Sequence, residues 1–244
     1  LFAILSDPVA PALDAGTLLL PNTGSVHHIG GHRLYVQLAR HLAAGGHRVL
    51  RLDLSGLGDS PARPGEANDE AYGRRAIDDL ACMVADAHAR WPSAATTVLG
   101  LCAGGYHALR LAVRQGGMSR CIIVNPLVYH WREGMTVEGY ESQLQARYYA
   151  TKWRRPQSWR RLMSGRSNLR MLARVMSDSL RRAAAGVLAR LASATRLSTM
   201  ADDLNRDLLA ATTHGARLVF VFSDGEPGWP SLQADGGRAM ARLR

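Results

Sequence analysis

Thr96-Thr97-Val98-Leu99-Gly100-Leu101-Cys102-Ala103-Gly104-Gly105-Tyr106 joins a β-branched, apolar run to a helical one. The run enters Gly100, a lone cysteine stands between small residues, and Ala108-Leu109-Arg110-Leu111-Ala112-Val113 continues at helical spacing. Strand, sharp turn and helix in the form Gly-x-Cys-x-Gly make a nucleophile elbow, with sulfur in place of the usual oxygen. Gly100 and Gly104 meet a steric demand, because strand and helix approach closely at such a turn and a side chain at either position would collide. The backbone N–H of Ala103 would point from a helix N-terminus at the oxygen of a reacting carbonyl, where the helix dipole also favours a thiolate. The structural alternative is a buried thiol, since free cysteine is among the most buried residue types.

Outward from the elbow, strands and helices alternate. Leu1 to Leu5 reads as a short strand, Thr17-Leu18-Leu19-Leu20 as a strand buried on both faces, and Arg48 to Leu54 and Cys121 to Pro126 as further strands. Helices are expected from Leu34 to Gly45-Gly46 and from Tyr72 to Arg90, where Trp91-Pro92 ends the run. Leu204 to Thr213 reads as a helix and Arg217 to Phe222 as a strand; residues 229–244 read as incomplete. This alternation predicts an α/β fold with a mostly parallel sheet covered by helices on both faces. Residues 1–128 and 201–244 form its two parts. Residues 129–200 break the rhythm and read as a helical cap, with runs such as Asn168 to Arg190 and aromatics from Tyr129 to Trp159.

With 244 residues and 47% hydrophobic content, the chain can bury one large core. Three cysteines are too few and too scattered for a disulfide framework or a CxxC metal site. No apolar run reaches the ~18 residues of a membrane span and no signal peptide stands out, so a cytoplasmic protein without stable membrane insertion is expected. The chain begins at Leu1 rather than Met, and truncation at both ends is expected. The net charge of +10 invites a nucleic-acid reading. Residues 129–200, however, carry 14 basic against 4 acidic residues, while the rest of the chain balances. The excess sits in the cap with no recognition motif beside it, so no nucleic-acid partner is expected. The cap's arginines read as a solvated face, or as a basic surface that recruits an anionic acyl donor or saccharide.

The order of these parts resembles the α/β-hydrolase superfamily across almost the whole chain. Pro21-Asn22-Thr23-Gly24 stands where that family has its oxyanion loop, and Asp53-Leu54-Ser55-Gly56-Leu57-Gly58-Asp59-Ser60 resembles its Asp-x-x-Gly-x-Gly-x-Ser segment. Gly100 to Gly105 is also similar to the elbow of dienelactone hydrolases, which use a cysteine nucleophile. A closer resemblance, to hydrolases encoded beside exosortase systems, rests on Gly31 to Arg40, Gly100-Leu101-Cys102, Val124 to Val128, Tyr148-Tyr149 and Trp159 to Gly165. It implies a cysteine hydrolase of unassigned specificity.

The resemblance implies site residues. Cys102 is the nucleophile, Ala103 and Thr23 the oxyanion-hole donors with Gly24 close behind Thr23, and Asp224 the acid, with Glu226 as competitor. The family order of nucleophile, acid and histidine fails here, because the last histidine, His214, precedes Asp224. The base is therefore expected beyond Arg244. Its loss altogether would leave a non-catalytic binding module. Gly24, His28, Tyr106 and His130 are the candidate substrate contacts, although His27 and His28 read equally as polar loop residues and His107 as a packed one. Asp53 and Asp59 read as loop anchors, and Cys82 and Cys121 as core. The expected activity is cleavage of a small-molecule ester or thioester through an acyl-cysteine, by a hydrolase or acyl transferase that needs no cofactor and no metal. Oligomeric state, acyl group and acceptor are not encoded in any motif.

Overall fold

All four residues of Thr17-Leu18-Leu19-Leu20 are buried, and the sheet is built around them. The computed structural model describes residues 1–12, 15–132, 134–140 and 203–242. The chain divides into two units, Leu1–Glu133 with Leu204–Arg244, and Gly134–Asp203. The sheet and the helices that cover it belong to the first unit. Beyond its opening residues, the cap expected over 129–200 lies outside the described residues, as does the helical run from Asn168 to Arg190.

Six strands, β1 (Phe2–Ser6), β2 (Thr17–Leu20), β3 (Arg48–Asp53), β4 (Thr96–Leu101), β5 (Arg120–Val124) and β6 (Arg217–Val221), lie in the order β1-β3-β2-β4-β5-β6. Only β1 runs antiparallel, against β3. Helices α1 (Leu34–Ala44), α2 (Ala76–Arg90), α3 (Ala103–Arg114) and α4 (Leu204–Thr213) cover the sheet, and α5 (Gly228–Asp235) follows β6. Side chains of β2 alternate between two cores. Leu18 and Leu20 pack with Tyr35 and Ala39 of α1, while Leu19 joins Leu80, Leu109 and Leu208 of α2, α3 and α4. Strand order reverses between β2 and β4, and the crevice outside the carboxyl ends of strands at such a switch is where α/β folds bind ligands.

Two expectations are corrected. The helix expected from Tyr72 starts at Ala76, because the Tyr72 ring is drawn onto Trp131 (stacked, 4.2 Å) and edge-on to Tyr106 (5.3 Å). Cys82 is exposed rather than core, since it lies about 200° around α2 from buried Leu80. After β6 the chain forms α5 and a short 3₁₀ turn, Gly237–Arg242. Cys121 is fully buried as expected, and burial pushes its thiol up to about 12.

Burial also sets the charge of His107, on the inner side of α3. Its Nε2–H donates to the Ala71 carbonyl (2.9 Å), its Nδ1 is buried without a partner, and burial lowers its pKa to about 4. A histidine held neutral in this way contributes stability that is complete above its unfolded value of ~6.5 and is lost as the pH falls toward 4. His107→Gln keeps a donor for Ala71 without the titration. Urea midpoints at pH 7.5 and 4.5 are expected to show the wild type losing about 2 kcal/mol more than this variant.

Candidate active site

Cys102 leaves β4 with φ 55° and ψ −117°, a combination that favours glycine, and caps α3. The turn exists because its neighbours have no side chains. A Cβ on Gly100 would overlap the Gly104 carbonyl, and one on Gly104 would stand 2.6 Å from the Asn22 oxygen. The first contact closes the elbow; the second lays the loop after β2 against it. Cys102 N–H extends the β4–β5 ladder by one bond to the Val124 carbonyl (2.9 Å), and its own carbonyl accepts from Gly105 (3.0 Å). The thiol is half-buried, and the first N–H groups of α3, beginning at Ala103, have no intrahelical acceptors.

The loop after β2 is anchored below by a carboxylate. Asp53, at the end of β3, is fully buried and accepts four hydrogen bonds: Asn22 Nδ2 (2.7 Å) and His28 N (2.7 Å) on Oδ1, His28 Nδ1 (2.7 Å) and Asp59 N (3.0 Å) on Oδ2. Asn22 is equally committed, giving Nδ2 to the Val26 carbonyl (3.0 Å) and taking Leu54 N–H on Oδ1 (2.8 Å). Above this base Thr23 bridges to Val26, and Gly24 turns the chain with φ 59° and open space around it. The loop-anchor reading of Asp53 therefore holds. Its four lone-pair directions are filled, so in the grouping of His28, Asp53 and Asp59 the Asp53 carboxylate has no lone pair left for a cation.

At the other side of Cys102, Asn125 sits one residue past β5 in the left-handed region (φ 45°). Its N–H bonds the Val221 carbonyl (2.9 Å), while its amide clamps Ser223 through Nδ2 to Oγ (2.7 Å) and Ser223 N–H to Oδ1 (2.8 Å). This fixes Asp224, the next residue, at the carboxyl edge of the sheet two strands from Cys102. Asp224 is exposed, and no histidine among the described residues pairs with it.

The structure thus brings together the elbow (Cys102, Ala103) and the loop (Thr23, Gly24), with Asp224 on the same edge. The other candidate residues have protein partners. His28 is 6% exposed and bound to Asp53. His130 is half-buried, with Nε2 on Asp207 Oδ2 (2.9 Å), and Arg110 pairs with the same oxygen. Burial works to raise the Asp207 carboxyl, but the bonds from His130 and Arg110 outweigh it and hold its pKa down. Tyr106 and Arg110 share the outer stripe of α3, where Tyr106 meets the edge of Tyr72. Sequence reading missed Asn22 and Asn125 as organisers: Asn22 reads as one residue of the turn after Leu20, and Asn125 as part of the strand from Cys121 to Pro126. A groove of about 550 Å³ lined by Leu38, Leu42, Thr97, Leu99, Ile122 and Arg217 lies toward the amino ends of β4, β5 and β6, away from Cys102.

Burial works to raise the Asp53 carboxyl too, and its hydrogen bonds win, so its pKa lies below the usual carboxylate range. Its contribution is complete above that range and is lost as the pH falls through the lowered value. Asp53→Asn, whose amide cannot accept four donors, is expected to cost about 3 kcal/mol at pH 7 in urea unfolding, with the difference from wild type shrinking as the pH falls below the usual carboxylate range.

A search of curated proteins returns no match. Among solved structures the chain is similar to an α/β serine hydrolase homologue from Coxiella burnetii (19% identity, TM-score 0.41, covering 57% of this chain and 61% of that one). It is also similar to an α/β serine hydrolase without lid from Xanthomonas campestris (20% identity, TM-score 0.42, 54% and 58%). A third is a thermostable carboxyl esterase from Bacillus coagulans (18% identity, TM-score 0.40, 50% and 39%). The chain spans about three fifths of the length of the first two and two fifths of the third. No helix among the described residues is long and apolar enough to cross a membrane. The profile of the serine aminopeptidase (S33) family matches residues 24–210, more than half of the sequence and inclusive of the elbow, and the chain belongs to this family of α/β hydrolases.

Proposed function

We propose that the protein cleaves a small-molecule ester or thioester, as a hydrolase or acyl transferase, through an acyl intermediate on Cys102. The observation that carries this reading is the backbone of Cys102: a β-carbon-bearing residue in a left-handed turn, held by glycine contacts, with a half-buried thiol at the N-terminus of α3. Strain of this kind costs about 1–3 kcal/mol and persists where the surrounding structure over-determines it, above all at functional sites. The family takes its name from a serine, and in our reading Cys102 takes the nucleophile's place in the elbow. The cysteine is what the elbows of dienelactone hydrolases and of exosortase-associated hydrolases resemble.

In the first half-reaction the Cys102 thiolate adds to the carbonyl carbon, and the carbonyl π pair moves onto oxygen. The Ala103 N–H and a donor from Thr23, with Gly24 next to it, meet that oxyanion. Collapse expels the alcohol or thiol and leaves a thioester on Cys102. Water or an acceptor hydroxyl then takes the acyl group. Thiolate attack suits activated acyl donors; amides also need their leaving nitrogen protonated, which ranks peptide cleavage below ester cleavage. Asp224 would orient the histidine that moves these protons, a partner that no described histidine supplies. Gly24 and Tyr106 flank Cys102 as substrate contacts, and His28 and His130 each keep one ring nitrogen for that use. Residues 129–200 would form the cap, and the acyl chemistry needs no cofactor.

A second reading, a binding module that keeps the crevice without turnover, is favoured by one observation: no described histidine pairs with Asp224. The two separate in one experiment. Native-length protein mixed with activated esters and acyl thioesters is followed by intact mass over seconds, beside Cys102→Ala. The enzyme reading expects a transient acyl adduct in wild type alone and turnover reduced at least ~10³-fold in the variant. Turnover that survives Cys102→Ala overturns it, and ligand-induced thermal stabilisation with no adduct supports the binding module.

A further inference from the structure

Tyr35 is the largest polar-tipped side chain in the α1 core, and it is only 1% exposed. The backbone makes room for it. Gly30 takes φ 73°, and a Cβ there would stand 3.0 Å from the Tyr35 ring and 3.1 Å from its backbone nitrogen, while Tyr35 N–H bonds the Ile29 carbonyl (3.1 Å). A buried phenol has to place its oxygen, and this one lies where the elbow meets the loop after β2. Thr23 Oγ1 donates to it (2.9 Å), and the Leu101 amide faces it from the last residue of β4. The β2–β4 pairing ends at Val98, so the Leu101 N–H lies past the end of that ladder. Burial, and in smaller part the nearby Cys102 thiolate, raise the phenol's pKa and keep it protonated.

We propose that Tyr35 is a positioning residue of the Cys102 site. It ties Thr23, and with it the turn that carries the second oxyanion donor, to the strand that carries the nucleophile. This rests on the reading of Cys102 as an acyl-accepting nucleophile. Asn22 and Asp53 fix the base of the loop, and Gly104 sets how closely the loop approaches α3. The Thr23–Val26 bridge and the bond from Ser25 Oγ to the Asp69 carbonyl (2.8 Å) hold the outer side of the Thr23–Gly24 turn, and the Thr23–Tyr35 hydrogen bond ties its inner side to the core. Tyr35 touches no reacting atom; it acts through Thr23.

The test exploits a difference between two reactions of one thiol. Iodoacetamide alkylates sulfur by displacement at a saturated carbon and builds no oxyanion, whereas 4-nitrophenyl butyrate acylates it through one. Tyr35→Phe keeps the ring under Gly30 and removes only the oxygen. Thr23→Val removes the same hydrogen bond from the partly exposed end and keeps the backbone N–H. In native-length protein, with thermal unfolding as the folding control, each variant is expected to acylate Cys102 some 10–100-fold more slowly than wild type and to alkylate it within about twofold of wild type. The double variant is expected to be no slower than either single one, because both delete one interaction. Equal losses in both reactions, or no loss in acylation, overturn the positioning role. Wild type that alkylates at Cys102 yet never takes the butyryl group overturns the nucleophile reading itself, and so is distinguishable from failure of the tether alone.

Discussion

Cys102 is held at φ 55° by contacts that no side chain could share, and the carboxyl edge of the sheet is arranged around that turn. Gly100 allows the Gly104 carbonyl to close over it. Gly104 in turn allows the Asn22 carbonyl to lie against α3. A single close approach of backbone to backbone thus places a thiol, a helix N-terminus and the loop after β2 side by side. They stand where strand order reverses between β2 and β4, so topology and local strain select the same place.

Polar side chains hold the two flanks rather than the centre. On one flank Asp53 gathers four donors and Asn22 spends its whole amide, which makes the loop after β2 a rigid shelf. On the other, Asn125 copies a strand's hydrogen bonding onto Ser223 and delivers Asp224 to the edge. A buried carboxylate with every lone pair filled is costly to disturb and contributes geometry more than net stability. The exposed Asp224 is the opposite case: its position is fixed by its neighbours while its charge remains toward solvent.

Much of this is legible in the residues. The parallel sheet follows from short runs such as Thr17 to Leu20, whose lack of alternation means burial on both faces. The elbow follows from glycine spacing, and Asp224 from its place after a strand. What is not legible depends on long-range pairing. Asp53 lies 25 residues from His28, and Asp207 lies 77 from His130, so neither pairing leaves a mark on the local pattern. Tyr72 has helical neighbours, yet stacking on Trp131 takes it out of α2. Cys82 lies outside the core because the apolar stripe on α2 is narrower than its run of small and apolar residues suggests, and Tyr35, one of several apolar or aromatic residues at the start of α1, gives no sign that its hydroxyl reaches Thr23.

Competition among the three cysteines tests the central claim, that the strained turn makes Cys102 the reactive thiol. Native-length protein would be treated at pH 7 with substoichiometric iodoacetamide and the label mapped to peptides. The account predicts label first on half-buried Cys102, then on exposed Cys82, and none on Cys121 while the fold is intact. Label on Cys82 ahead of Cys102, with Cys102 as inert as Cys121, would contradict it and return Cys102 to the status of a packed core thiol.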